Sequence, residues 1–253
     1  MQAIWKGHIS FGLVSVPVSV YSATMEQRIS FKLLHGKDHS PIKYRKVCEQ
    51  ENVEVSQDEI VRGFQFERNR YVVLTDKDLD KVDVKLTKTI DIVNFVKLTD
   101  LDPMWLDRPY YLEVQKGGEK PYELLRRALE ETGLVGVCKT VLRDREHLGF
   151  VAPHGSMLLL ELMRFSSEVR GAEKLQDTSG VKVEKKQLEL AKELIHKMAE
   201  EFRFEEYADE YSEKVMEIVR KKAEGKKITL PRAPKVAEVK DLMEALRKSL
   251  KAA

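Results

Sequence analysis

Apolar residues near the start of the chain alternate as Ile9, Phe11 and Leu13, then change phase to Val14, Val16, Val18 and Val20. Period-two alternation sets one face of a strand on a core, and the change of phase predicts a bulge near residues 12–14 in a single long strand. Short apolar runs at 71–75, 89–96, 109–114, 135–142 and 157–165 predict further strands. Pro153, His154, Gly155 and Ser156, lying between two apolar runs, predict the turn of a hairpin. One helix interrupts the strands: Pro121 suits its first turn, Leu124, Leu125, Ala128 and Leu129 recur at helical spacing, and Gly133 ends it.

After Gly180 the period becomes helical. Leu188, Ala191, Leu194, Ile195, Met198 and Phe202 form one amphipathic stripe, and Tyr207, Tyr211, Val215, Ile218 and Val219 form a second beyond a break near Arg203. Their apolar faces suffice to pack on the strand region or on a partner subunit. Gly225, Pro231 and Pro234 lie among basic residues and predict an exposed linker. Beyond it, Val239, Leu242, Met243, Leu246 and Leu250 share one face of a short terminal helix. A helix of roughly 14 residues is marginal alone in water, so Leu242, Met243, Leu246 and Leu250 are expected either to dock on a partner or to fold back on their own chain.

A chain of 253 residues, 42% hydrophobic and 34% charged, has the make-up of a soluble globular protein with a sizeable core. Its longest apolar stretches, at 14–20 and 157–160, fall well short of the ~20 residues of a membrane-spanning helix. No secretory pattern follows Met1, so a cytoplasmic location and no membrane partner are expected. Cys48 and Cys138 stand apart without a CxxC neighbour, against both a disulfide scaffold and a cysteine-rich zinc site.

Net charge is only +2, but its distribution is uneven. Residues 220–253 hold eleven basic and four acidic residues, a surplus of +7 that leaves −5 on the remainder. Within that acidic remainder Arg28, Lys32, Lys37, Lys43, Arg45 and Lys46 face Asp38 alone, an island of +5 across 28–46. Glu49, Glu51, Glu54, Asp58 and Glu59 follow it without a basic residue before Arg62. A concentrated positive segment on a negative body presents one surface to a polyanion and repels it elsewhere.

Templates for catalysis find no match. The chain has no GxxxxGK[ST] phosphate loop, no GxGxxG after a strand, no GxSxG elbow and no HExxH pair. His35 and His39 stand four apart with only Asp38 as a nearby carboxylate, and no catalytic residue, cofactor or metal site is expected. Binding remains. Through 42–47 apolar and basic positions alternate, so a β-ribbon there would show one cationic edge to phosphates, the plainer alternative being a lysine-rich surface hairpin. Arg143 and Arg145, at the end of the 135–142 strand, either contact a polyanion or pair with Asp144 and Glu146.

The opening run from Ala3 to Val18, with Ile4-Trp5-Lys6-Gly7-His8 and Phe11-Gly12-Leu13-Val14 at its centre, is the most specific block of the chain. Together with Lys43-Tyr44-Arg45-Lys46-Val47-Cys48, Tyr71-Val72-Val73-Leu74-Thr75, Arg108-Pro109-Tyr110-Tyr111-Leu112, Arg145-Glu146-His147-Leu148 and the terminal Asp241-Leu242-Met243-Glu244-Ala245-Leu246-Arg247, it closely resembles bacterial Ku, the DNA-end-binding family of non-homologous end joining. The resemblance implies an α+β fold: a β-barrel core, an extended basic β-bridge and a C-terminal helical region in a ring-forming homodimer around duplex DNA. It implies a core at 1–180 with its bridge at about 22–70, a helical arm at 181–223, a linker at 224–237 and a docking helix at 238–253 that recruits a multidomain ATP-dependent DNA ligase. Trp5, Phe11, Pro109, Tyr110 and Tyr111 are expected to pack the barrel.

Two departures from the family pattern carry expectations. Ser19 and Val20 stand where members commonly have a basic residue, which argues against a DNA contact there. The chain also stops at Ala253 without a long lysine-rich tail, so functions of such a tail should be weak or missing. The function so implied is sequence-independent binding, protection or bridging of double-strand ends by a non-enzymatic homodimer, nucleoid-associated in the cytoplasm. The competing classes are a metal-dependent nuclease or ligase subunit and an RNA-binding adaptor.

Overall fold

The computed structural model of the protein describes residues 1–79, 88–142, 145–225 and 242–252. It contains two compact units, one of Met1–Gln27 with Phe31–Gly171 and one of Arg28–Ser30 with Ala172–Ala253. The first is built on seven strands: β1 (Trp5–Phe11), β2 (Val14–Ser22), β5 (Thr89–Lys97), β6 (Leu106–Val114), β7 (Leu134–Leu142), β8 (Arg145–His154) and β9 (Met157–Met163). They form a closed barrel in the order β1-β2-β6-β9-β8-β7-β5. The β1–β5 pair is parallel and closes it, while every other pair is antiparallel.

The predicted bulged strand is in fact two strands. Gly12 adopts φ +60°, and with Leu13 at the fully exposed tip it reverses the chain, so that Phe11 faces Val14 across a hairpin. The phase change in the sequence is the signature of that tight turn, whose positive φ glycine supplies without a Cβ penalty. The predicted Pro153–Ser156 turn is likewise a hairpin, with β8 continuing through His154 and only Gly155 and Ser156 in the loop.

Inward positions fill the barrel with Ile9, Val16, Val18, Val20, Ile90, Leu112, Cys138, Val151, Leu158 and Leu160, all fully buried. Ser19 beside them is buried too. Trp5 and Phe11 pack against the core and Tyr110 lies within it. Cys48 and Cys138 are both free, and burial pushes the Cys138 thiol far above its usual range.

Helix α2 (Glu119–Thr132), followed by Gly133, covers one end of the barrel. Tyr122, Leu125 and Leu129 join the barrel's own core cluster. The Tyr122 hydroxyl donates to the Leu112 carbonyl at 2.6 Å and accepts from the Leu158 amide at 2.7 Å, tying the helix to β6 and β9. On the outer face, Arg126 and Arg127 hold the Glu123 carboxyl down to about 2. Tyr122→Phe removes the hydroxyl from both backbone groups in a buried setting, which is expected to cost about 1–3 kcal/mol of unfolding free energy. Urea titration checks this, and an unchanged midpoint would show that the hydroxyl adds nothing.

The second unit is helical: α3 (Lys185–Met198), α4 (Glu210–Ala223) and α5 (Leu242–Ala252). The predicted break near Arg203 is present as a short 3-10 turn at Phe204–Glu206. Val239 and most of the predicted linker, from Lys226 onward, lie outside the described residues.

Candidate nucleic-acid interface

After Ser22 the chain leaves the barrel and returns only at Thr89. From Phe31 to Val73 every residue is exposed except the half-buried Cys48 and Val55, so this arm contributes nothing to the core of a single chain. Two loops are closed by isolated bridges, Leu34 to Pro41 and Val47 to Glu54. Its ordered ladder comes later, where β3 (Arg62–Glu67) and β4 (Arg70–Leu74) form a two-stranded ribbon. The alternating stretch 42–47 is therefore not itself a ribbon, because each bridge closes a local loop and no ladder propagates between them. A short helix, α1 (Asp76–Leu79), follows the ribbon.

The basic island sits along these loops. Lys37 lies in the turn of the first loop, where Asp38 accepts from the Ser40 hydroxyl at 2.6 Å and the Ser40 amide at 3.0 Å. Those bonds and one from His35 hold the Asp38 carboxyl below its usual range, so the island's one acidic residue stays ionised. Lys32, Lys37 and Lys43 are exposed, and their side chains make no ion pair or hydrogen bond among the described residues. Arg45 is paired with Glu54 at 2.8 Å, and Lys46 donates to the Gln57 side-chain carbonyl. The segment after the island thus folds back on two of its cations, Glu54 pairing with Arg45 and the neutral Gln57 amide accepting from Lys46. Sequence counting cannot detect this, because the loop at 47–54 creates the contact. Arg28 falls in the second compact unit.

Of the two arginines predicted beside the β7–β8 turn, Arg143 lies outside the described residues. Arg145 is on the barrel rather than the arm and pairs with Glu168, while the predicted partner Glu146 lies 3.7 Å from Lys139. Sequence reasoning missed the arginines of the ribbon. Arg68 lies in its turn, and Arg70 pairs with Glu67 at 2.8 Å and stacks 4.9 Å from the Phe66 ring. The alternation of Phe64 and Phe66 was the available signal, too short to identify β3 by itself. Both faces of this ribbon carry exposed apolar residues, among them Phe64, Phe66, Tyr71 and Val73. Among the described residues no three His, Cys, Asp or Glu side chains gather as metal ligands would. No described helix is long and apolar enough to cross a membrane.

The terminal residues predicted to dock are found on α5, which lies against α3. Met243, Leu246 and Leu250 are half-buried, as are Leu190, Ala191 and Leu194 on α3, whereas Leu242 is 55% exposed. Lys197 caps the contact by donating to the Leu250 carbonyl at 2.9 Å. The fold-back alternative is therefore the arrangement seen in the isolated chain. Leu188, Ile195, Met198 and Phe202 remain exposed on α3 and beyond it.

Comparison with known proteins agrees with this architecture. The model of the Ku70/Ku80 beta-barrel domain matches residues 10–190. The Non-homologous end joining protein Ku of Archaeoglobus fulgidus is 42% identical over 253 residues, spanning 100% of this chain and 99% of that protein. The proteins of the same name from Opitutus terrae and Bacillus subtilis are 39% and 37% identical, each over 99% of this chain and 91% and 82% of their own lengths. A family match covering more than half of the chain, on a seven-stranded barrel with a long exposed arm, places this chain in the Ku family.

Proposed function

We propose that the chain binds double-stranded DNA ends without regard to sequence, as a homodimeric ring in non-homologous end joining, and that it recruits and stimulates a multidomain ATP-dependent DNA ligase without catalysing a reaction or using a cofactor itself. The observation that carries this is the arm: a segment of more than forty residues, exposed almost throughout, with three unpaired lysines and an apolar ribbon that its own barrel leaves uncovered. Lysines free of partners suit phosphates, which carry charge but little sequence information. A ribbon exposing Phe64, Phe66, Tyr71 and Val73 suits burial against a second copy, since apolar surface of that kind seldom stays open to water.

In this reading Lys32, Lys37 and Lys43 contact phosphate directly. Arg28, Arg45, Lys46, Arg143 and Arg145 add to the field, and Arg45 and Lys46 exchange Glu54 and Gln57 for DNA. The working division is a core at 1–180 with its bridge at about 22–70, a helical arm at 181–223, a linker at 224–237 and a docking helix at 238–253. Helix α5 is the element that a ligase meets, through Leu242, Met243, Leu246 and Leu250, the last three exchanging α3 for the ligase.

A ring needs an end for entry. Linear duplex is expected to bind, and a covalently closed circle of the same sequence to bind far more weakly in a competition assay. Blocking both ends after loading should trap the protein through a salt wash that strips it from open fragments. Equal affinity for circle and linear fragment would end the ring reading.

A further inference from the structure

The barrel has one covered end and one open end. Helix α2 covers the end marked by the β8–β9 turn, where Arg126 donates to the Gly155 carbonyl. At the other end a cavity of about 260 Å³ opens. Buried residues Tyr110, Leu142 and Leu162 line its inner wall. Strand register explains the rest of the lining, because residues directly opposite in a ladder share a face. Arg145 lies opposite the buried Leu142, and His147 lies opposite the buried Thr140. Arg108 lies opposite the buried Leu162, two residues before the buried Tyr110. The inward positions thus change from apolar to cationic at the last layer of this end.

Trp5 shapes the same mouth. Its indole ring occupies the place where a Cβ on Gly7 would be, with ring atoms 2.2 and 2.6 Å from that position. Only glycine at position 7 allows an aromatic ring to lie there, and it joins the cavity wall. The one acidic residue of the lining, Asp107, is held by Arg164 at 2.9 Å. Arg145 is shared with Glu168, whereas the Arg108 and His147 side chains have no hydrogen bond or ion pair among the described residues. The arm departs from this rim, where the Ala23 amide donates to the Pro109 carbonyl at 3.2 Å.

We propose that this barrel mouth binds a phosphate monoester carried on a nucleoside, with Arg108, Arg145 and His147 holding the phosphate and Trp5 flanking the sugar or base. Arginine's planar fork suits the oxygens of a terminal phosphate, and barrel mouths are a preferred place for ligands. The volume lies below the range usual for drug-sized ligands, which favours a single nucleotide unit over anything larger. That chemistry has two sources, the 5′-phosphate of a DNA end and a free nucleoside monophosphate. The first rests on the DNA-end reading above.

The test compares short duplexes of one sequence with 5′-phosphate or 5′-hydroxyl termini by fluorescence polarisation, and titrates the full chain with thymidine 5′-monophosphate or thymidine by calorimetry. The phosphorylated duplex is expected to bind about tenfold tighter, as one or two charge-assisted hydrogen bonds would give. Arg108→Gln should erase that preference. Lys116→Gln, which removes an equal charge from the turn just before α2, should retain it. If the termini are equivalent but thymidine monophosphate binds in an Arg108-dependent way, the site stands with the free nucleotide as its source. If neither phosphate is distinguished from its hydroxyl counterpart, or if Lys116→Gln loses the preference as fully as Arg108→Gln, the site is refuted. Failure of both duplexes to bind would refute the DNA-end reading instead, and the mononucleotide titration then decides the mouth alone.

Discussion

Replacing Lys32, Lys37 and Lys43 with glutamine is expected to flatten the salt dependence of DNA-end binding by about five units of slope. Each phosphate neutralised on a duplex adds about −0.9 to the slope of log K against log salt, and three lysines in each of two chains make ~6 contacts. Between 50 and 200 mM salt, six contacts correspond to a loss of roughly 10³ in affinity for the unmodified protein, most of which the variant should no longer show. These lysines are exposed and unpaired, so the substitutions break no ion pair or side-chain hydrogen bond among the described residues. Glu54→Gln should act in the opposite direction, because it frees Arg45 for phosphate. An unchanged slope in a folded triple variant would remove the arm from the interface.

Deleting residues 238–253 is expected to abolish stimulation of the ligase while leaving end binding almost intact. The deleted segment holds four basic and three acidic residues, a net of only +1, so its direct electrostatic share of DNA binding is small. Its apolar residues matter more. Met243, Leu246 and Leu250 pack on α3, and removing α5 both deletes them and strips the cover from Leu190 and Leu194. Leu246→Asp should reproduce the loss by placing a carboxylate in that seam, where an unpaired charge is costly. Ligation of a linear plasmid at equal DNA occupancy is the readout. If the truncated protein stimulates joining as well as the full chain, recruitment lies in the barrel or in α3 and α4.

The α3–α5 seam also shows how far periodicity reaches. Helical spacing identifies the apolar stripes of both helices, because a stripe is a property of one element. Which stripe meets which is a matter of the chain's path between them, and spacing carries no information about that. On α3, Leu190, Ala191 and Leu194 are half-buried beside α5, whereas Leu188, Ile195 and Met198 are open.

Local periods and uneven charge were legible along the chain: strands alternating into one core, the helix from Pro121 to Gly133, the helical C-terminal third, and a cationic island at 28–46. Its detailed likeness to one family also anticipated the barrel. What lies opposite what was settled by folding. The tight turn at Gly12 divides one apparent strand into two, the return of the acidic run sets Glu54 on Arg45, and barrel closure gathers Trp5, Arg108, Arg145 and His147 at one mouth. One cause underlies all three. Alternation and charge are set by neighbours along the chain, whereas ion pairs, cavities and covered faces are set by residues tens of positions apart, which become neighbours only when the ladders close.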